Sequence, residues 1–153
     1  MSDIDDFHVR TATQSDLPSV LALYEQLNPS DPPVILEDAE AILKRFEAFA
    51  GSAIFVGCRR GAPVTTCALV VVPNLTRKGA PYAVIENVVT DARHRKQGYA
   101  RAVLHAAIGS AWLHGCYKVM LLTGSKNPAT LRFYEQTGFE QSKTGFQIRR
   151  LGS

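Results

Sequence analysis

Cysteine is scarce in this chain of 153 residues, which contains three, Cys58, Cys67 and Cys116. Their odd number, their wide spacing and the lack of a C-x-x-C pair argue against a disulfide framework and against a zinc site. Cys116 is better interpreted as a small buried apolar residue than as a nucleophile. Isolated thiols fit a reducing compartment, so we expect a cytoplasmic protein.

Long apolar runs and strong net charge are also missing. No run approaches the ~20 apolar residues that span a bilayer, and residues 1–6 are acidic without an apolar core, which excludes a signal peptide. The net charge is +3, too small to indicate a nucleic-acid partner by itself. The basic run 93–96 has no interleaved aromatic side chains. We therefore expect neither a nucleic acid nor a membrane as a partner.

The overall composition is that of a globular protein. Apolar residues make up 46% of the chain and charged residues 20%. A chain of this length fits one ordinary domain, which would bury roughly 70% of its unfolded surface. No internal repeat, low-complexity tract or linker interrupts it. We therefore predict a single domain over residues 1–153.

Hydrophobic periodicity, prolines and glycines divide the chain into ten elements. We predict strands over residues 7–12, 52–59, 64–72, 82–90, 118–123 and 146–151, and helices over residues 17–27, 36–51, 98–114 and 128–137. Thr13 and Asp16 are expected to cap the first helix, and Asn127 the last. The order β-α-α-β-β-β-α-β-α-β indicates an α/β (α+β) sandwich with a mixed, mostly antiparallel central sheet flanked by helices.

The stretch 84–104 reads as a strand, a basic turn and a helix that opens on Gly98. A helix N-terminus offers unpaired N–H donors and a partial positive charge, so it favours an anionic group. Gly98 lets the backbone approach that group. Positive charge is added by Arg93, Arg95, Lys96 and Arg101. This turn is the candidate anion-binding site of the sequence.

Two motifs and the order of the elements resemble the GNAT superfamily of acyl-CoA-dependent N-acetyltransferases. R-K-Q-G-Y-A (95–100) is similar to the pyrophosphate-binding signature of that superfamily, and F-Y-x-x-x-G-F (133–139) follows about 30 residues later. Further likeness to the glucosamine-6-phosphate N-acetyltransferases lies in I-E-N-V-V (85–89), G-C-Y-K-V (115–119) and Q-I-R (147–149). The chain departs from that group at L-T-G-S-K (122–126), where an acidic, cysteine-containing segment is typical. The resemblance implies a GNAT-like acyl-CoA N-acyltransferase fold.

The same resemblance implies acetyl-CoA as co-substrate and no metal. In the superfamily, the fourth and fifth strands splay apart, and backbone groups of the fourth strand bind the pantetheine and the thioester carbonyl. By position these groups belong to Val88, Val89 and Thr90. The pyrophosphate is expected on the turn and the first helical residues. The residues implied there are Arg95, Lys96, Gln97, Gly98, Tyr99, Ala100 and Arg101. Asn127 is a further candidate for the CoA chain, although capping alone explains it.

Two side chains are candidates for the chemistry. Tyr134 is interpreted as the general acid that protonates the leaving thiolate; the alternative is an aromatic residue of the helix's core face. Glu86 is interpreted as the base that holds the incoming ammonium and takes its proton, because a charge on a central strand is costly without a partner or a role. A structural salt bridge to an arginine is the alternative for Glu86.

Substrate-binding candidates follow from the same likeness. Those residues are Glu86, Asn87, Arg77, Lys118 and Arg149. Taken singly, the three cations are also explained as solvated surface side chains. The resemblance implies direct transfer of an acetyl group to a small-molecule amine in a ternary complex, such as an amino sugar phosphate. Acetylation of a protein lysine or N-terminus, and a sensor that binds acyl-CoA without catalysis, remain open. A homodimer is a possible assembly.

Overall fold

The structure, a computed structural model, describes residues 6–150 and 152. The chain forms two compact units, of which the first ends at Leu121 and the second begins at Leu122. None of the helices in the described part of the chain is long and apolar enough to cross a membrane.

A five-stranded mixed sheet forms the centre of the first unit. Its strands are β1 (Phe7–Thr11), β2 (Ala53–Arg59), β3 (Ala62–Val72), β4 (Tyr82–Thr90) and β5 (Val119–Leu121). The spatial order is β1-β2-β3-β4-β5, so it follows the chain. Neighbours among the first four strands run antiparallel, and β5 runs parallel to β4. The predicted mixed, mostly antiparallel sheet is confirmed.

Three helices belong to the first unit and one to the second. They are α1 (Leu17–Leu27), α2 (Leu36–Glu47), α3 (Tyr99–Leu113) and α4 (Pro128–Thr137). The predicted cap before α1 is present, because the Thr13 backbone N–H donates to Asp16 Oδ2 at 2.8 Å. Arg10 donates to both carboxylate oxygens of Asp16, at 2.6 and 2.8 Å. Asp16 therefore joins β1 to the start of α1.

One face of the sheet is covered by α1 and α2. Ile54, Ala68 and Glu86 are successive Cα partners across β2, β3 and β4, so their side chains lie on the same face. On that face Ile54 packs against a buried cluster that belongs to α1 and α2, namely Leu17, Ala39 and Leu43. The side chain of Glu86 therefore emerges on the side of the sheet that carries these two helices.

The opposite face is covered by α3. Cys67 follows Thr66 on β3 and so points to the other side of the sheet, where its thiol donates to the Val103 carbonyl of α3 at 3.7 Å. The α3 residues that are buried lie on one stripe, Val103, Leu104, Ala107 and Ala111. The core of the first unit therefore lies in two layers, one on each side of β2 and β3.

Two predicted strands differ from the structure. β5 spans three half-buried residues instead of the predicted 118–123, because its ladder with β4 ends at the pair Ile85–Leu121. The predicted strand 146–151 is wrong for its described residues 146–150, which form no strand. Phe146 and Ile148 alternate with polar residues, yet they are 91% and 98% exposed. A strand needs a partner, and the described residues of the second unit contain no other strand.

Two predicted helix faces are also less buried than their spacing indicates. Trp112 on α3 directly follows the buried Ala111 but is itself 52% exposed. Phe49 was assigned to the second helix, but α2 ends at Glu47, and Phe49 is exposed. Both residues lie within two positions of the end of a helix.

Candidate active site

β4 carries a bulge in its C-terminal half. On β3, Thr66 pairs with Val89 and Ala68 pairs with Glu86. Two residues of β4, Asn87 and Val88, therefore lie opposite a single residue of β3, Cys67. Asn87 adopts a left-handed backbone with φ 55°. A bulge leaves its extra residue outside the ladder and turns the strand. The predicted cofactor segment Val88–Thr90 therefore begins at a break in the pairing of β4 with β3.

The other edge of β4 is unpaired with β5 over the same stretch. The parallel ladder joins Ala83, Val84 and Ile85 to β5, and β4 continues for five residues beyond it to Thr90. Backbone N–H and C=O groups on that edge, from Glu86 onward, lie past the end of the ladder. A strand edge of this kind offers its groups to an extended ligand. The splaying of the two strands that the sequence resemblance implies stays a prediction.

Glu86 is solvent-exposed on this stretch of β4. The expectation that this charge is costly without a partner or a role is therefore wrong, because the side chain is exposed. Its neighbours Ile85 and Val89 are buried, whereas Glu86 and Asn87 are exposed. An exposed carboxylate is accessible to a cationic amine. The structure thus leaves Glu86 available for either of its predicted roles, base or anchor.

The turn that follows β4 is organised by Asp91. Its carboxylate accepts from the Arg93 backbone N–H at 2.9 Å and from the Arg93 guanidinium at 3.2 and 3.1 Å. These hydrogen bonds hold the pKa of Asp91 well below its usual range. Asp91 is buried and caps the single 3₁₀ turn Ala92–His94. Arg93 is therefore a structural partner of Asp91, and its charge is already compensated.

Next, the backbone turns left-handed at Lys96 and Gly98, with φ 61° and 82°. Gly98 is the N-cap of α3, and no side chain caps the helix there. The first backbone N–H groups of α3 therefore remain available as donors. A Cβ added to Gly98 would meet no protein atom within 4 Å, so the space in front of the turn is open. This geometry fits the pyrophosphate of a CoA thioester.

Charge around this turn has one sign. Arg95, Lys96 and Arg101 are exposed, and the first turn of α3 contains no acidic residue. Arg95 also donates to the carbonyl of Thr90 at 3.5 Å, at the end of β4. The Tyr99 ring stacks on Phe7 of β1 with 4.2 Å between centroids, so its side chain anchors α3. Gln97 is exposed and Ala100 is half-buried beside it.

Arg77 and Lys118 lie at the other end of β4. Both approach the ring of Tyr117, at 5.4 Å each from its centroid, and Lys118 also lies 5.5 Å from the Tyr82 ring. Tyr82 begins β4, four residues before Glu86, or about 13 Å along an extended strand. The structure therefore groups these two cations with aromatic rings and separates them from Glu86. Their substrate-binding role stays a prediction.

In the second unit, the F-Y-x-x-x-G-F motif forms the end of α4. Phe139 N–H donates to the Tyr134 carbonyl at 3.0 Å, and Gly138, with φ 115°, donates to the Glu135 carbonyl at 3.0 Å. This is a Schellman cap. The half-buried Tyr134 ring meets Phe139 at 6.1 Å and Phe133 at 5.1 Å, edge to face. The motif thus forms the C-terminal cap of α4 and its ring contacts. The role of Tyr134 as general acid stays a prediction.

Asn127 and Arg149 lie at the two ends of the same unit. Asn127 Oδ1 accepts from the Ala129 backbone N–H at 3.0 Å, which confirms it as the N-cap of α4. Arg149 is exposed in the segment after α4 that forms no strand. Contact of Asn127 with CoA, and of Arg149 with a substrate, both remain predictions.

The three thiols are buried and unpaired. Burial raises the pKa of Cys67 to about 12 and also raises the pKa of Cys58 and Cys116. Because the thiolate is the nucleophile, none of them is poised to accept an acetyl group. Among the described residues, no three His, Cys, Asp or Glu side chains are grouped to hold a metal ion.

Sequence reasoning missed two residues that shape the site. Asp91 precedes a short helical turn, and its position as the N-cap of that turn is a signal that the sequence offers. Gln26 was predicted only as a position of the first helix. In the structure, the Gln26 side chain accepts from the Ala92 backbone N–H at 3.0 Å. No local pattern predicts this contact, because the two residues lie 66 positions apart.

Comparisons with known proteins identify the family of the chain. Residues 20–139 match the model of the Acetyltransferase (GNAT) family. The chain is 33% identical over 139 residues to a glucosamine 6-phosphate N-acetyltransferase of Trypanosoma brucei brucei, covering 91% of this chain and 92% of the relative.

Two solved structures share the fold. A putative acetyltransferase from Agrobacterium tumefaciens is 51% identical with a TM-score of 0.88, over 94% of this chain and 99% of its own. A Trypanosoma brucei acetyltransferase is 29% identical with a TM-score of 0.80, over 95% of this chain and 100% of its own. The chain thus belongs to the Acetyltransferase (GNAT) family and is an acetyl-CoA-dependent N-acetyltransferase.

Proposed function

We propose that this enzyme acetylates the amine of an amino sugar phosphate such as glucosamine 6-phosphate, in the cytoplasm, by direct attack on acetyl-CoA in a ternary complex. The observation that carries the proposal is the 33% identity to a glucosamine 6-phosphate N-acetyltransferase over 91% of the chain. A relative that is similar over most of its length is a guide to the acceptor. Fold alone would not identify it, because one fold serves many acceptors.

Direct transfer is supported by the state of the cysteines. A covalent acetyl-enzyme needs an activated thiolate beside a base. All three thiols are buried with raised pKa values, and Cys67 reaches about 12. The acetyl group therefore passes straight to the amine in this proposal. Acetyl-CoA supplies the thioester, and the chain supplies binding, orientation and proton transfer.

Each part of the chain has a role in this proposal. The α3 N-terminus and its cations bind the pyrophosphate. The backbone N–H groups of Val88 and Val89 bind the pantetheine and the thioester carbonyl, where a donor to the developing negative charge is worth roughly 100-fold in rate. Glu86 holds the ammonium and takes its proton, and Tyr134 protonates the departing thiolate. A small-molecule amine is the partner of this site.

The substrate test compares glucosamine 6-phosphate with glucosamine in an acetyl-CoA consumption assay. If Lys118 and Arg149 bind the phosphate, kcat/KM should be about 100-fold higher for the phosphorylated sugar, because each charge-assisted contact contributes about tenfold. Arg149→Glu should remove most of this preference. Arg150→Glu, the same charge reversal one residue along the same exposed segment, should leave it in place.

Equal rates on the two sugars would contradict the proposed acceptor. Rapid acetylation of lysine peptides or protein N-termini, with none of either sugar, would assign the enzyme to protein amines instead.

The variant Glu86→Gln distinguishes the two roles predicted for Glu86, base and anchor. If Glu86 is the base, the rate loss is largest at low pH, where the amine is protonated, and shrinks toward the pKa of the amine. If Glu86 is an anchor, KM rises and kcat changes little.

A further inference from the structure

The connection between β3 and β4 contains a left-handed turn. Arg77, Lys78 and Gly79 follow one another with φ of 52°, 58° and 80°. Glycine adopts such a φ freely, whereas the Cβ of Arg77 and of Lys78 makes it costly there. The Gly79 N–H donates to the Thr76 carbonyl at 3.0 Å, and the Ala80 N–H donates to the Arg77 carbonyl at 3.1 Å. Two exposed residues in a costly conformation persist only where their surroundings hold them.

Asn74 holds this turn at both of its ends. Its half-buried side-chain amide donates to the Thr76 carbonyl at 3.2 Å and to the Thr76 hydroxyl at 2.9 Å. The same nitrogen donates to the Ala80 carbonyl at 3.1 Å. Thr76 and Ala80 are the residues that flank the turn 77–79. One side chain therefore ties together the residue before the turn and the residue after it.

The turn also determines where the charge of Arg77 lies. The Arg77 guanidinium carbon is 5.4 Å from the centroid of the Tyr117 ring, and Lys118 Nζ is at the same distance from that ring. Neither cation forms an ion pair with a carboxylate of the described residues. Two positive charges near one ring, without an acidic partner, attract an anionic group. A different φ at Arg77 would redirect its side chain and separate the two charges.

We propose that Asn74 is a positioning residue, whose amide holds the left-handed turn 77–79 and so keeps Arg77 near Lys118, where both charges attract the anionic group of the acceptor. Asn74 acts through Arg77 and has no contact with the substrate in this proposal. The effect on the turn is independent of the acceptor. The effect on KM rests on the proposed function, because it supposes that the acceptor carries a phosphate.

The experiment removes the amide in Asn74→Ala. The backbone N–H groups of Gly79 and Ala80 should exchange with deuterium about fivefold faster, the factor expected for one lost hydrogen bond. KM for glucosamine 6-phosphate should rise about threefold, and KM for glucosamine, which lacks the phosphate, should rise less. Asn28→Ala is the matched control, because Asn28 is exposed and its side chain forms no hydrogen bond with a described residue. It should leave these values unchanged. Thermal melting verifies that each variant is folded.

A double-mutant cycle assigns the effect to Arg77. Arg77→Gln should raise KM for glucosamine 6-phosphate about fivefold, the upper limit for an exposed ion pair. In that background Asn74→Ala should raise KM no further, because residue 77 no longer carries a charge.

Three results would overturn the proposal: an equal effect of Asn74→Ala in both backgrounds, an equal rise in KM for the two sugars, or unchanged exchange of Gly79 and Ala80. If the wild-type enzyme acetylates no amino sugar phosphate, the proposed function fails. The exchange measurement still decides in that case whether Asn74 holds the turn.

Discussion

Asparagine and glycine occupy left-handed positions on either side of the candidate thioester segment. Asn87 has φ 55° within β4, and Gly98 has φ 82° at the start of α3. Glycine adopts such a φ freely, whereas asparagine does so with help from its side chain. Gly98 therefore leaves open space for a ligand, while Asn87 lies in the bulge of β4. Two similar dihedral angles thus have different causes and predict different responses to substitution.

Gly98→Glu should weaken acetyl-CoA binding by more than about tenfold, because it places bulk and negative charge where the pyrophosphate binds. Gly115→Glu is a matched control. Gly115 follows the other end of α3, has φ 80°, and its added Cβ would also meet no protein atom within 4 Å. It carries the same strain and charge and should leave affinity unchanged. Calorimetry with CoA compares the two. Wild-type affinity for CoA in Gly98→Glu would show that this turn does not bind the cofactor.

At the scale of the elements, α4 offers a test that separates chemistry from folding. Tyr134→Phe keeps the ring contact with Phe139 that accompanies the C-terminal cap, so α4 should remain intact. The kcat should nevertheless fall roughly 100-fold, as expected for loss of a general acid. Asn127→Ala should have the opposite effect. It removes the N-cap of α4 and lowers stability by about 1 kcal/mol, while kcat should change little because the Tyr134 hydroxyl remains.

Stopped-flow rates and hydrogen exchange of α4 distinguish these outcomes. Full activity in Tyr134→Phe would show that the thiolate leaves unassisted or takes its proton from another donor. Loss of CoA affinity in Asn127→Ser, which retains a capping oxygen, would show that Asn127 contacts the cofactor as well as the helix.

Some features of the elements could be predicted from the sequence and others could not. β4 was predicted with its observed bounds, Tyr82–Thr90, and the N-cap Asn127 of α4 was predicted, because these features depend on short patterns. The bulge was not predicted, since it depends on the pairing of β4 with β3. The tail 146–150 alternates like a strand but has no strand partner within its unit. Local chemistry fixes where elements begin and end, whereas pairing decides which alternating segments become strands.

At the scale of the whole molecule, the Arg10–Asp16 pair predicts a response to acid. Asp16 is buried and Arg10 lowers its pKa from 3.8 to about 2. A lowered folded-state pKa contributes stability above the unfolded value, and this contribution is lost as the pH falls from 3.8 through about 2. Arg10→Met should therefore cost about 2 kcal/mol at neutral pH, and its difference from wild type should shrink near pH 2.

Urea denaturation at a series of pH values measures this difference. Arg60→Met is the control, because its ion pair with Asp6 is exposed on both sides and 3.7 Å long. An exposed pair contributes less than about 1 kcal/mol. A constant gap between wild type and Arg10→Met down to pH 2 would show that Arg10 stabilises the protein by packing alone.

The agreement between strand order and chain order has a consequence for biosynthesis. β3 can pair with β2, and β4 with β3, as soon as each leaves the ribosome, because the three strands are joined by short connections. β5 must wait for the whole of α3, since a parallel neighbour needs a crossover. Nascent chains that end soon after Thr90 therefore already contain every strand of the antiparallel sheet. They expose the edge of β4 until β5 is translated, and this edge is where a nascent chain of this enzyme is open to mispairing.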